Sequence, residues 1–156
     1  MEAAAVVGEG SLAVAVDGVE KSYHRVTALN GVDLEVQRGR IYGLLGPDGA
    51  GKSSLLKIIA GVLSHDAGRV EVLGTRVDSE RAAEKVKGGL GFMPQGLGQN
   101  LYRELSVEEN VDFFARLRRV PGRLLEGRKE RLYEMTRLGP FRDRAMAHLS
   151  GGMKQK

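Results

Sequence analysis

Apolar positions recur along this chain with two different periods. Up to about Gln95 the pattern is short β-type runs separated by glycine turns. Leu12–Val16 and Val32–Val36 alternate apolar with polar, the signature of half-buried strands. Ile41–Leu45 (IYGLL) is a continuous apolar run of the kind found in strands buried on both faces. Arg38-Gly39-Arg40, between the last two, predicts a hairpin connection. Lys52–Ala60 predicts a helix stopped by Gly61. Beyond it, Gly68–Gly74 predicts a strand, Glu80–Lys87 a short helix, and Leu90–Met93 a strand broken by Pro94. From Ser106 the period becomes helical. Ser106 and Glu109 have capping-box spacing, and Val107, Val111, Phe114 and Leu117 fall on one face. Pro121-Gly122 ends that helix. A second, over roughly Arg123–Leu138, places Leu125, Leu132 and Met135 on its buried face before Gly139-Pro140 stops it.

Composition narrows the class. In 156 residues, 42% hydrophobic and 28% charged, a packed core is feasible and disorder is not expected. The absence of cysteine removes disulfide scaffolds, thiol catalysis and cysteine-built metal sites. His24, His65 and His148 show no ligand spacing. The longest apolar run, Leu55–Leu63, is interrupted by Lys57 and is too short to span a bilayer. The opening MEAAAVVGEG has no basic leader, so no secretory signal is expected. Charge is uneven, with a net of −1 over residues 1–100 and +5 over 101–156. Acids alternate with bases in Glu126-Gly127-Arg128-Lys129-Glu130-Arg131, so this excess reads as solvated helix faces rather than a nucleic-acid surface.

Glycine, at 22 residues, is about twice its ordinary frequency. Its use is clearest in Gly46-Pro47-Asp48-Gly49-Ala50-Gly51-Lys52-Ser53, a full match to G-x-x-x-x-G-K-[ST] between an apolar run and a helix. Glycines in such a loop let successive backbone N–H groups face phosphate oxygens, and the helix N-terminus adds partial positive charge. Lys52 would neutralise the β- and γ-phosphates of a nucleotide, and the Ser53 hydroxyl would bind Mg²⁺.

A phosphate loop alone leaves kinase, GTPase, ATPase and motor open. Leu149-Ser150-Gly151-Gly152-Met153, continuing Lys154-Gln155-Lys156, resembles the LSGGQ-type signature of ATP-binding-cassette (ABC) ATPases, with Met153 where glutamine is commoner. Gln95, after Phe92-Met93-Pro94, matches the family's Q-loop. Tyr23, upstream of Ala28-Leu29-Asn30-Gly31-Val32, matches its adenine-stacking aromatic. The resemblance covers nearly all of residues 12–156, and Leu101–Leu117 looks most like ATPases of ABC-2-type exporters. It implies an α/β P-loop NTPase with an antiparallel β subdomain and a helical subdomain. It implies ATP and Mg²⁺ as ligands, held by Tyr23, Gly46–Ser53, Ser54 and Gln95, with Ser53 and Gln95 on the metal. The signature would meet the γ-phosphate on a second protomer in a head-to-tail dimer. A membrane permease is the implied partner, at the cytoplasmic face of the cell membrane.

The expected organisation is a tail over 1–11, a nucleotide-binding core over 12–95 and a helical subdomain over 96–156. The family next supplies an acidic strand end, a water-polarising Glu and a switch His, which have no match here. The expected reading is therefore about the first two-thirds of the usual domain by the order of its motifs, with an incomplete core sheet and no catalytic carboxylate. Asp48 stands where Asn is usual, placing a carboxylate near the phosphates. A cassette ATPase acting on nucleic acid or ribosomes is the alternative. The lack of cysteine disfavours its iron–sulfur and zinc-bearing members, and direct nucleic-acid contact is not expected. A P-loop GTPase is disfavoured by the lack of N-K-x-D.

Overall fold

The structure, a computed structural model, describes residues 11–93, 96 and 101–155. The expected Q-loop residue Gln95 lies outside them. The chain divides into two compact units, Met1–Phe92 and Met93–Lys156. No helix among the described residues is long and apolar enough to cross a membrane.

The first unit is built on a four-stranded antiparallel sheet in the order β2-β1-β3-β4. Strands β1 (Leu12–Tyr23) and β2 (Val26–Gln37) form a long hairpin that turns at His24-Arg25, where His24 takes a φ of 54°. The alternating segments Leu12–Val16 and Val32–Val36 both lie inside it. β3 (Ala67–Val72) pairs with the other edge of β1, Val14 opposite Val72 and Val16 opposite Val70, and the short β4 (Thr75–Arg76) follows. Gly68 allows this approach, because a Cβ there would lie 2.4 Å from the Gly18 carbonyl oxygen at a φ of +87°. Helix α1 (Lys52–Ile59) lays Leu55 and Ile58, one turn apart, on the same core as Val16, Val19, Val70 and Val72. Helix α2 (Glu80–Lys87) has the expected bounds, is capped by Ser79, and adds Ala83 and Val86.

Two predicted strands are absent. Ile41–Leu45 joins no ladder, and Ile41 and Leu45 are 104% and 93% exposed. Leu90–Met93 is likewise outside any strand. The physical reason is shared. A strand of the doubly buried type is held by ladder bonds to its neighbours, and apolar sequence alone cannot supply them. Among the described residues no strand pairs with either run. For the same reason Arg38–Arg40 is a turn at the end of β2, tied by Arg38 N–H to the Ser11 carbonyl at 3.1 Å, and not the head of a second hairpin. The core sheet is open, as expected.

In the second unit α3 (Val107–Leu117) starts at the Ser106–Glu109 capping box, with both reciprocal bonds formed. Helix α4 (Gly122–Thr136) ends where Arg137 turns left-handed at a φ of 56°. The expected burial needs correction. Leu117, Leu132 and Met135 are 66%, 47% and 72% exposed, whereas Lys129 and Tyr133 are buried. α4 thus turns a mixed face to α3. Lys129 is satisfied there by Glu108 at 2.7 Å and Asp112 at 2.9 Å. The expectation that Lys129 sits on a solvated face is therefore wrong for this one residue. Tyr133 packs with Val107, Leu138, Met146 and Leu149 beside an apolar cavity of about 360 Å³.

Among the described residues the buried Tyr133 hydroxyl has no hydrogen-bond partner, and burial pushes its pKa up. An unpaired buried hydroxyl costs about 1–3 kcal/mol. Tyr133→Phe should therefore raise stability by about 1 kcal/mol, read as a shift of the urea unfolding midpoint with unchanged slope. A lowered midpoint would mean that the hydroxyl has a partner.

Candidate functional site

The phosphate-loop sequence folds as a turn leading into α1. Ala50 N–H donates to the Pro47 carbonyl at 3.3 Å, and Gly49 and Gly51 both take a φ of 82°. Gly51 is the N-cap residue, and no side chain caps the helix. Here glycine is required twice over, by the backbone conformation and by space. A Cβ on Gly51 would lie 2.3 Å from the Ala28 carbonyl oxygen and 2.7 Å from Leu29 Cδ2. The loop is therefore seated directly on β2.

Lys52, the first residue of α1, turns its ammonium back into the loop. Its Nζ donates to the carbonyls of Gly46 at 2.7 Å and Pro47 at 2.6 Å. Residues 46–50 are exposed, as is Ser53. Among the described residues no carboxylate bonds to Lys52 or Ser53. The result is an open loop with a cation at its centre, backbone N–H groups at a helix start and a free-facing hydroxyl, a donor set suited to a polyphosphate and its metal ion.

Tyr23 reaches the same place from β1. Its hydroxyl and that of Ser54 are hydrogen-bonded at 3.1 Å, joining residues 31 apart in sequence. The ring stays 42% exposed, leaving a face open for stacking. Sequence reasoning missed the support behind it. Asp66 accepts from Lys21 Nζ at 2.6 Å and from Ser22 N–H at 2.7 Å, which pins the end of β1. The Lys21 ammonium, helped by the Ser22 bond, holds the Asp66 carboxyl below its ordinary pKa. Lys21 Nζ also lies 5.8 Å from the Tyr23 ring centroid, within cation–π reach. No one-dimensional signal marks Asp66, because its partners lie on β1, 45 and 44 residues away.

The signature segment belongs to the second unit. Leu149 is buried in that unit's core and Met153 packs against it. Between them Ser150 caps the single turn α5 (Gly151–Lys154), its Oγ accepting from Met153 N–H at 3.3 Å. Gly151 and Gly152 are exposed, with open space where a side chain would project. So Tyr23, Lys52, Ser53 and Ser54 gather on the first unit, and Leu149–Met153 form a capped turn on the second.

Known proteins resemble this chain over most of its length. The chain is 40% identical over 146 residues to the "Probable multidrug ABC transporter ATP-binding protein YbhF" of Escherichia coli, covering 92% of this chain and 24% of that protein. It is 38% identical to the "Daunorubicin resistance ATP-binding protein DrrA3" of Streptomyces coeruleorubidus, over 92% of this chain and 44% of that one. It thus spans less than half the length of either relative. Among solved structures, cbiO1 from Clostridium perfringens, described as part of the ABC transporter complex cbiONQ, superposes with a TM-score of 0.79 at 25% identity, over 92% of this chain and 58% of that one. The family model described as "ABC transporter" matches residues 29–156, which take in the phosphate loop, α1 and the signature turn, and the chain therefore belongs to the ABC transporter family as part of its ATP-binding domain.

Proposed function

We propose that this chain is the nucleotide-binding portion of an export-type ABC transporter ATPase. It would work as a head-to-tail pair at the cytoplasmic face of a membrane, against a permease. Family membership already implies nucleotide binding. The observation that carries the residue assignment is the convergence of Tyr23 and Ser54 on a loop whose centre holds the Lys52 ammonium. Export is supported by a further relative, the "Nod factor export ATP-binding protein I" of Bradyrhizobium diazoefficiens, 36% identical over 146 residues, covering 94% of this chain and 46% of that protein.

In this reading the Tyr23 ring stacks on adenine, the N–H groups of 46–52 and the Lys52 ammonium hold the β- and γ-phosphates, and Ser53 Oγ ligates the metal together with Gln95. Mg²⁺, when bound, neutralises charge across the phosphates. Lys52 must exchange its two carbonyl acceptors for phosphate oxygens, so nucleotide entry reorganises the loop rather than filling a rigid cavity. Leu149–Met153 would complete the site of a second copy. Water activation requires a positioned base, typically worth about 10²–10⁴-fold. None of the described carboxylates bonds to Lys52 or Ser53.

Titration with a fluorescent ATP analogue and Mg²⁺ tests the assignment. Tyr23→Ala should weaken binding by about 1–3 kcal/mol, the usual worth of one base–aromatic stack. Tyr23→Phe keeps the ring and loses only the exposed bond to Ser54, so its affinity should fall less than about threefold. No saturable binding by the wild-type chain would sink the proposal. A Phe variant as weak as the Ala variant would move the Tyr23 role from ring to hydroxyl.

A further inference from the structure

Asn110 is one of two buried polar or charged residues in the described chain, 3% exposed in the second turn of α3, and nothing above uses it. Its side chain closes the loop ahead of its own helix. Asn110 Oδ1 accepts from Tyr102 N–H at 2.9 Å. Its Nδ2 faces three carbonyl oxygens, those of Tyr102 at 3.0 Å, Ser106 at 2.9 Å and Leu105 at 3.3 Å. Only an amide offers an acceptor and two donors from one planar group of this size.

The loop so closed is also the template for the segment entering the signature. Met146 N–H donates to the Leu105 carbonyl at 2.9 Å, and Ala147 N–H to the Arg103 carbonyl at 2.8 Å. In the other direction Val107 N–H reaches the Arg144 carbonyl and Glu108 N–H the Arg142 carbonyl, with a β-bridge between Ser106 and Ala145. The Leu105 carbonyl oxygen is the shared atom, accepting one hydrogen bond from Asn110 Nδ2 and one from Met146 N–H. Met146 opens the 3₁₀ turn Met146–His148, which runs through Leu149 straight into the Ser150 cap.

We propose that Asn110 is a positioning residue for the Leu149–Met153 signature, acting through the Leu105 carbonyl that it shares with Met146. The role rests on the reading of that signature as a nucleotide-contacting turn. The side chain never touches nucleotide. It fixes the backbone to which the Ser150 turn is attached, so the angle at which Ser150, Gly151 and Gly152 are presented depends on an amide buried in another helix.

The test is residue-resolved amide exchange and ¹H–¹⁵N spectra of the ¹⁵N-labelled 156-residue chain, with Asn110→Ala and Asn110→Asp. The aspartate has nearly the same volume and keeps an acceptor for Tyr102 N–H, but when ionised it has no proton for Leu105. Both variants should speed exchange at Met146 and Ala147 by at least about tenfold and displace the Ser150–Met153 signals. Exchange at Tyr133 in α4 and at Leu55 in α1 should stay within about twofold of wild type. A general packing role would instead speed Tyr133 as much as Met146, and that result overturns the proposal. So does wild-type protection of Met146 and Ala147 in either folded variant. Titrating the same samples with the fluorescent ATP analogue separates the two readings. Failure of the wild type to bind removes the proposed function, whereas intact binding with an undisturbed signature removes the role of Asn110.

Discussion

Lys129→Ala should destabilise the second unit by about 3 kcal/mol, the low end of what breaking a buried ion pair costs. The lysine side chain is 5% exposed and lies between Glu108 at 2.7 Å and Asp112 at 2.9 Å, with Glu126 at 3.5 Å. Its removal leaves two carboxylates facing a void between α3 and α4. They are 29% and 31% exposed, so water reaches them in part, which is why the low end applies. Lys129→Met keeps most of the stem that packs there and should cost about 2 kcal/mol. Adding Glu108→Gln and Asp112→Asn to it should bring stability back to within about 1 kcal/mol of wild type, since replacing a whole buried network is often near neutral. Glu108, then Asp112, raise the lysine pKa above its ordinary range. A group whose folded pKa lies above its unfolded one contributes fully below the unfolded value, about 10.4 for lysine. The wild-type advantage over Lys129→Met should therefore be flat across neutral pH and fall in strong alkali. Urea unfolding followed by circular dichroism measures all three variants. An alanine variant that unfolds at the wild-type midpoint would mean that the pair contributes nothing.

What could be read from the sequence divides by how far apart the interacting partners lie. Local signals held. The Ser106–Glu109 box, the Gly61 stop and the bounds of α2 depend on groups within four residues of each other, and the chain supplies both halves together. The phosphate loop and signature were legible for a related reason, since each packs its donors into eight residues or fewer. Burial was read less well. In α4 the apolar residues Leu132 and Met135 were expected inward, but the inward face is set by what α3 offers, and α3 offers Glu108 and Asp112. A lysine one turn from a tyrosine becomes core only when acids across the helix pair make it so.

Ile41–Leu45 carries the same lesson from the opposite side. Its composition states a demand for burial, and nothing in the run itself provides the neighbours that would meet it. Asn110 was invisible because it bonds to backbone, which leaves no partner side chain in the sequence to pair with. Asp66 was invisible because its partners, Lys21 Nζ and Ser22 N–H, lie 45 and 44 residues away. Buried side chain-to-backbone bonds are thus the class of feature that a single sequence hides most completely.

Lys52→Ala should weaken the fluorescent ATP analogue about 10- to 100-fold, corresponding to about 1.5–3 kcal/mol for a charge-assisted phosphate contact. Two effects oppose each other. The ammonium already has the Gly46 and Pro47 carbonyls as acceptors at 2.7 and 2.6 Å, so phosphate binding replaces existing bonds and the net gain is less than the full contact. Those same bonds hold the exposed loop 46–50 in shape, and alanine frees it, adding ordering cost on binding. The charge decides the balance, because polyphosphate presents several negative oxygens while a carbonyl presents only a dipole. Lys52→Arg separates charge from shape. A guanidinium carries the charge but is planar and larger than the gap between two carbonyls that an ammonium fits, so it should recover only part of the loss. Raising salt from about 0.05 to 0.5 M should weaken the wild type more than the alanine variant, since the Debye length contracts below the span of the loop. Helix α1 is anchored by Leu55 and Ile58, neither of which is replaced, so all three proteins should unfold at similar urea concentrations. Equal affinities in folded wild-type and alanine proteins would show that nucleotide, if bound, is held somewhere other than this loop.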